Sequence, residues 1–196
     1  MHQGHIAGHE IKDLSPLAGL SALEQLVLND TQVSDLAPLA GLTMLRWLWL
    51  DSTQVSDLSP LAGLIALESL YLRNTPVSDL SPLAGLSALE QLVLNDTQVS
   101  DLSPLAGLTA LASLYLRNTP VSDLSPLANL TALRWLDLDD TQVSDPIMTS
   151  ETAANEETTG PPSDLDSDLA REMSLERTET NKEFLRREAD AKTPLD

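Results

Sequence analysis

The chain has 196 residues, with 30 acidic and 11 basic side chains and a formal net charge of −19. This excess of carboxylates argues against partners such as nucleic acid or an anionic membrane surface, because both are bound through clustered Lys and Arg. There is no cysteine, which excludes disulfides, thiolate metal sites and cysteine nucleophiles.

Residues 1–10 are predicted to form a short lead-in to the rest of the chain. They hold three histidines, and His2, His5, His9 and Glu10 are candidate ligands for a transition metal. The two glycines of this segment argue against a helix that would bring the histidines together, so a flexible start or a vestige of a preceding coil is favoured, with no metal. The segment lacks the apolar run of a signal peptide, and no stretch reaches the ~20 apolar residues of a membrane helix. A cytoplasmic location is therefore expected.

From Ile11 onward the sequence repeats every 22 residues. Six full repeats occupy residues 11–142, and the repeating region is expected to end at residue 145. A repeat of this length is one coil of a solenoid, which buries its apolar side chains only by stacking on the next coil. The first apolar residue of each repeat recurs at Ile11, Val33, Val55, Val77, Val99, Val121 and Val143.

Each repeat reads as a short strand, a turn and a short helical segment. In the second repeat, Leu48 and Leu50 alternate as the inward residues of a strand. Ser59 followed by Pro60 predicts a helix start, with the serine as the cap and the proline at the first helical position. Gly63 ends the segment after one or two turns, which favours a 3₁₀ helix.

The repeat Leu-x-x-Leu-x-Leu-x-x-Thr-x-Val-Ser-Asp-Leu-Ser-Pro-Leu resembles the internalin-type bacterial leucine-rich repeat over residues 11–145. The resemblance implies a leucine-rich-repeat solenoid, an α/β horseshoe with a parallel β-sheet on the concave face and short 3₁₀ turns on the convex face. It also implies that partners bind the concave face. Two features depart from the family: no helical N-terminal cap is recognisable, and threonine replaces the usual asparagine after the strand. A threonine hydroxyl is expected to bond backbone between coils in its place, at Thr31, Thr53, Thr75, Thr97, Thr119 and Thr141.

A ladder of aspartates follows the same period. Calcium is one candidate ligand for such a column of carboxylates. The favoured interpretation is structural, because each aspartate lies two residues before a Ser-Pro or Ala-Pro helix start, where it can accept turn N–H bonds. The ladder comprises Asp13, Asp35, Asp57, Asp79, Asp101, Asp123 and Asp145.

The outward positions of the strands form three columns across the predicted sheet. The first is Gln25, Trp47, Ser69, Gln91, Ser113 and Trp135. The second is Val27, Trp49, Tyr71, Val93, Tyr115 and Asp137. The third is Asn29, Asp51, Arg73, Asn95, Arg117 and Asp139.

All three tryptophans and both tyrosines of the chain fall in the first two columns. Leucine already fills the inward positions, so an aromatic strip flanked by arginines has the composition of a binding hot spot. Two aromatic clusters are expected, separated by Val93. The predicted ligand-binding residues are Trp47, Trp49, Asp51, Tyr71, Arg73, Tyr115, Arg117, Trp135 and Asp137.

Residues 146–196 leave the period and carry 13 acidic and 6 basic side chains. Few of them are apolar, which predicts a largely disordered acidic tail. One short helix is suggested by the spacing of Leu165, Leu169 and Met173.

The function favoured by these patterns is a non-catalytic module that binds a protein or peptide on the concave sheet, without a cofactor. The sequence holds none of the phosphate-binding, nucleophile-elbow or zinc-protease motifs, and the repeats hold no histidine. Two alternatives stay open: a regulatory or scaffold fragment of a larger multidomain enzyme, and a structural spacer without a dedicated ligand.

Overall fold

The computed structural model describes the backbone of residues 3–5 and the backbone and side chains of residues 10–143. The predictions for the tail, residues 146–196, for Asp145 and for the side chains of His2, His5 and His9 lie outside these residues. In the part described, no helix combines the length and the apolar character needed to cross a membrane.

Seven short strands form one parallel sheet in chain order. Each strand pairs with the next at a register of 22 residues, so that Leu48 lies opposite Leu70 and Leu70 opposite Leu92. The predicted leucine-rich-repeat solenoid is confirmed. The strands are β1 (Gln3–His5), β2 (Gln25–Val27), β3 (Trp47–Trp49), β4 (Ser69–Tyr71), β5 (Gln91–Val93), β6 (Ser113–Tyr115) and β7 (Trp135–Asp137).

Strand β1 lies within residues 1–10, the predicted lead-in, for which no strand is expected. The 22-residue period nevertheless extends backward into it, since Gln3 pairs with Gln25 and His5 with Val27. The lead-in therefore contributes one strand of an additional coil, in line with the interpretation as a vestige. We number the six full coils 1 to 6 from residues 11, 33, 55, 77, 99 and 121, so that β2 belongs to coil 1 and β7 to coil 6.

The opposite side of each coil carries a single 3₁₀ turn, as expected. The prediction that the serine before the proline is the cap is wrong: in coil 3 the turn itself begins at Ser59, and the capping position is Leu58. The backbone N–H of Ser59 is instead accepted by Asp57 Oδ1 at 2.8 Å. The turns are η1 (Ser15–Leu17), η2 (Ala37–Leu39), η3 (Ser59–Leu61), η4 (Ser81–Leu83), η5 (Ser103–Leu105) and η6 (Ser125–Leu127).

The aspartate ladder makes the same contact in every coil. Each carboxylate accepts the N–H two residues later at 2.8 Å, which confirms the structural interpretation of these residues as turn-stabilising groups. Hydrogen bonds from Ser59 lower the pKa of Asp57 below its ordinary value. The carboxylates that accept these bonds are Asp13, Asp35, Asp57, Asp79, Asp101 and Asp123.

The core is a stack of leucine and valine side chains that runs along the coils. The threonine after each of the strands β2 to β6 is buried. The prediction that its hydroxyl bonds to the backbone of another coil is wrong. Thr53 Oγ1 donates to Leu50 O of its own coil at 2.7 Å, and Thr97 Oγ1 donates to Leu94 O in the same way. The single donor of the hydroxyl group is thus used within the local turn.

Candidate binding surface

The sheet register aligns the outward residues of the first two columns as predicted. Trp47 lies opposite Ser69, and Trp49 lies opposite Tyr71. At the other end Ser113 lies opposite Trp135, and the position of Tyr115 is paired with Asp137. The central residues of these strands up to coil 5 are fully buried leucines, so the flanking residues form the outer surface of the sheet.

The first aromatic cluster is a stacked pair. The rings of Trp49 and Tyr71 lie 5.2 Å apart between centroids, at an angle of 12° between planes. Both side chains are partly exposed. Trp47 lies two residues before Trp49 and faces the same side of the sheet. Coils 2 and 3 thus present three neighbouring aromatic residues outside the core.

Arg46 belongs to this cluster, although the sequence did not single it out. Its guanidinium carbon lies 4.6 Å from the centroid of the Trp47 ring, a cation–π arrangement. Arg46 Nε also donates to Glu68 Oε1 at 2.9 Å. Opposite charges 22 residues apart, one of them directly before a tryptophan, are the signal that would reveal this group.

The second aromatic cluster lies in coils 5 and 6. The rings of Tyr115 and Trp135 are 6.4 Å apart and tilted by 36°. Burial raises the pKa of Tyr115, and the nearby charge of Asp137 adds to the shift. Trp135 Nε1 is shielded from solvent and lacks a hydrogen-bond partner among the residues described.

The third column has a structural role that the sequence analysis did not anticipate. Asn29 Oδ1 accepts the backbone N–H of Asp51 at 2.9 Å, and Asp51 Oδ1 accepts that of Arg73 at 2.8 Å. Asn95 Oδ1 accepts the N–H of Arg117 in the same geometry. Asparagine or aspartate at this position therefore ties one coil to the next.

Asp51 is partly buried at this junction. Desolvation raises its pKa, and the hydrogen bond and charge of Arg73 only partly oppose that effect. Its carboxylate serves the backbone of coil 3 as well as lying beside the candidate surface.

The side chains of the two arginines of the third column do not form ion pairs with the acidic residues next to them in that column. Arg73 Nε lies 3.2 Å from Asp96 Oδ2, and Arg117 Nε lies 3.6 Å from Asp140 Oδ2. Asp51, which precedes Arg73 in the column, accepts a hydrogen bond from the backbone N–H of Arg73. A hydrogen bond from Asn118 lowers the pKa of Asp96, and Arg73 contributes to the same shift.

The remaining predicted residue, Asp137, turns toward its own coil. Its Oδ1 accepts the backbone N–H of Asp139 at 3.2 Å. The nine predicted residues thus divide between coils 2–3 and coils 5–6, with the partly exposed Val93 between them. Within the described part of the chain, no group of three or more His, Cys, Asp or Glu side chains is arranged to hold a metal ion.

The repeats match known proteins in sequence and in structure. The family model "Leucine Rich repeats (2 copies)" matches residues 43–85 and 87–129. Internalin C2 of Listeria monocytogenes is 42% identical with a TM-score of 0.68, over 70% of this chain and 61% of that one. A second internalin of Listeria monocytogenes, inlF, is 40% identical with a TM-score of 0.66, over 69% of this chain and 40% of that one. The repeats of this chain are leucine-rich repeats of the internalin type.

The chain spans 61% and 40% of the lengths of the two internalins. A leucine-rich-repeat protein of Leptospira interrogans, 22% identical with a TM-score of 0.64, covers 67% of this chain and 35% of its own length, and it shares the fold. No curated protein matches the sequence. Leucine-rich-repeat proteins generally mediate interactions between proteins, which gives the class of function but not the partner.

Proposed function

We propose that this protein is a non-catalytic module that binds a protein or peptide on its concave sheet face. The observation that carries the proposal is the stacked pair of Trp49 and Tyr71, which lies outside the leucine core and is partly exposed. Aromatic side chains at the centre of a contact surface contribute a large share of binding energy.

The repeats supply an internal argument that these rings are not needed for folding. Strands β2 and β5 both have the sequence Gln-Leu-Val and pair in the same register as β3, whose sequence is Trp-Leu-Trp. The same strand thus forms with a glutamine and a valine at the outward positions. Trp47 and Trp49 are therefore free to serve recognition.

The two clusters support an elongated site. Their centres are about three strands apart, or ~14 Å at the usual spacing of ~4.8 Å. The stretch between them is smoother, because coil 4 has Gln91 and Val93 at the outward positions. An extended peptide or the edge of a protein that crosses the strands would reach both aromatic anchors.

Arg73 and Arg117 add two local positive charges beside these anchors. They lie on a solenoid whose residues 1–145 carry 17 acidic and 5 basic side chains. Their ion pairs with Asp96 and Asp140 are largely exposed and so contribute little to folding, ~0.2–1 kcal/mol each. A ligand carboxylate could replace either partner.

A selection of displayed ligands tests the proposal. A phage library of random peptides and small folded domains is selected against the full chain, and each enriched ligand is titrated against the variant Trp47→Gln, Trp49→Val. This variant gives β3 the sequence of β2 and β5, so it is expected to keep a cooperative melt and to lose no more than the ~0.5–1.5 kcal/mol of the stacked pair. We expect most ligands to lose affinity at least tenfold, which is ~1.4 kcal/mol. A variant that keeps full affinity for most ligands would place binding elsewhere and favour the spacer alternative.

The cytoplasmic location stays a prediction.

A further inference from the structure

Two apolar side chains outside the columns are exposed without a role in the core. Among residues 10–143, four large apolar residues are exposed: Leu20, Met44, Ile65 and Leu136, at 49%, 53%, 65% and 37%. Leu20 and Leu136 occupy inward positions in the first and last full coils, at the two ends of the described stack. Met44 and Ile65 lie in the interior coils 2 and 3, and the end of the stack does not explain their exposure.

The other coils show that the fold requires neither Met44 nor Ile65. The position of Met44 is alanine in every other full coil, at Ala22, Ala66, Ala88, Ala110 and Ala132. The position of Ile65 is serine or threonine in every other full coil, at Ser21, Thr43, Ser87, Thr109 and Thr131. Coils 2 and 3 have therefore each gained an exposed apolar side chain on an otherwise polar or small column.

These two residues lie in the segments that lead into the strands of the first aromatic cluster. Met44 precedes Trp47, the first residue of β3, by three residues, and Ile65 precedes β4 by four. Both are thus located at the edge of the sheet where the strands begin. Arg46 lies between Met44 and Trp47, with its guanidinium over the Trp47 ring and bonded to Glu68.

Coil 2 differs from coils 1 and 4 only at positions outside the core. Residues 13–36 and 79–102 are identical, so coils 1 and 4 provide one shared reference. Relative to that reference, coil 2 keeps every inward leucine and valine. Its substituted residues, all on the surface or at the sheet face, are Ala37, Thr43, Met44, Arg46, Trp47, Trp49, Asp51 and Ser52.

We propose that the binding surface extends from the sheet face of coils 2 and 3 around this edge to Met44 and Ile65, and that its occupant is a folded protein. The inference rests on the proposed function and names the kind of partner. A peptide confined to the sheet face would leave Met44 and Ile65 in water. A folded domain with an apolar knob covers both the edge and the aromatic pair.

Charge complementarity indicates that the partner surface is basic around its apolar centre. Arg46 stands in a column with three carboxylates, Glu24, Glu68 and Glu90, all of which act on it electrostatically. Over coils 1 to 4 this column therefore holds one guanidinium and three carboxylates, an excess of negative charge around coils 2 and 3; its other arginine, Arg134, lies in coil 6. The same excess, together with the acidic solenoid, disfavours a second copy of this chain as the occupant.

The folded domains recovered from the display selection test this extension. They are titrated against the full chain with Met44→Ala and Ile65→Ser, residues that the same columns carry in other coils. The matched control alters the same columns in coils 4 and 5, with Ser87→Ala and Ala110→Ser. The melts of both variants are expected to match the parent.

We expect most selected domains to bind the edge variant at least tenfold more weakly, to bind the control unchanged, and to weaken further as salt is raised. Domains that lose affinity for Trp47→Gln, Trp49→Val but not for the edge variant would overturn the extension and leave the proposed function standing. Recovery of peptides alone would overturn the folded partner. Failure to enrich any ligand, or equal affinity for all variants, would overturn both.

Discussion

Asp51 shows how one side chain can serve both the fold and the candidate surface. Its Oδ1 accepts the N–H of Arg73, while Asn95 makes the equivalent bond to Arg117 with an uncharged amide oxygen. The geometry therefore needs an acceptor at this position but not a charge. Burial raises the pKa of Asp51, which means that the folded state disfavours its ionised form.

The variant Asp51→Asn is expected to be more stable at neutral pH by a few tenths to ~1 kcal/mol, because it keeps the acceptor and removes a desolvated charge. A raised carboxyl pKa stabilises the fold only at low pH, so the advantage should be complete above the raised pKa and disappear as the pH falls below the ordinary value.

Chemical denaturation of both proteins across this pH range measures the difference. The turn aspartates such as Asp57, whose pKa is lowered, weaken both proteins equally in acid and cancel in the comparison. A variant that is less stable at neutral pH would show that the charge itself holds coils 2 and 3 together.

At the scale of the element, the glycine two residues after each 3₁₀ turn of coils 1 to 5 has a different backbone conformation in the first coil than in the others. Gly19 has φ +97°, a left-handed conformation that favours glycine. Gly41, Gly63, Gly85 and Gly107 do not, and a Cβ atom added at any of them meets only open space. Glycine at these four positions thus loses chain entropy on folding without a conformational need.

Gly63→Ala is expected to raise the free energy of unfolding by ~0.4–1 kcal/mol, because alanine restricts the unfolded chain and fits the native backbone. Gly19→Ala, the matched control, is expected to lower it through strain. Urea denaturation of the two variants gives both values. Equal effects of the two substitutions would contradict the assignment of the left-handed turn to Gly19 alone.

The period of the sequence determines most of the elements but not every side-chain partner. The spacing of 22 residues predicts the strand register, and the register brings Trp49 and Tyr71 together. The 22-residue spacing does not predict the ion pair of Arg73, because its partner Asp96 lies 23 residues away. Asp96 has φ +60°, and its two carboxylate oxygens accept from Arg73 of the preceding coil and from Asn118 of the next, a bridging position that the alignment of columns does not predict.

The same limit explains the other differences. The serine before the proline carries a capping side chain, but the aspartate two residues earlier accepts its N–H and places it inside the turn. Arg46 precedes the predicted strand, so the sequence does not predict that its guanidinium lies over the Trp47 ring. Exposed positions such as Met44 become informative only when burial is known.

For the whole molecule, near-identical coils separate the needs of the fold from those of recognition. Each coil of a solenoid contacts mainly its neighbours, so the inward leucines are constrained in every coil, whereas outward residues are free to vary. The aromatic residues, Arg46, Met44 and Ile65 are all outward departures from the shared pattern. We therefore propose that the aromatic residues of coils 2 and 3 serve binding and not the core.

The most direct measurement is a titration of one selected ligand against the variant Trp47→Ala, Trp49→Ala, Tyr71→Ala, with a thermal melt of the same sample. We expect a cooperative melt with a loss of no more than ~3 kcal/mol, since the core is leucine and a stacked pair is worth ~0.5–1.5 kcal/mol. Leu92→Ala, at a fully buried inward position, is expected to cost ~2–5 kcal/mol by itself while leaving the folded protein able to bind. The triple variant should lose at least ~2 kcal/mol of binding energy. Unchanged affinity, or a melt that collapses, would contradict the assignment of these rings to the binding surface.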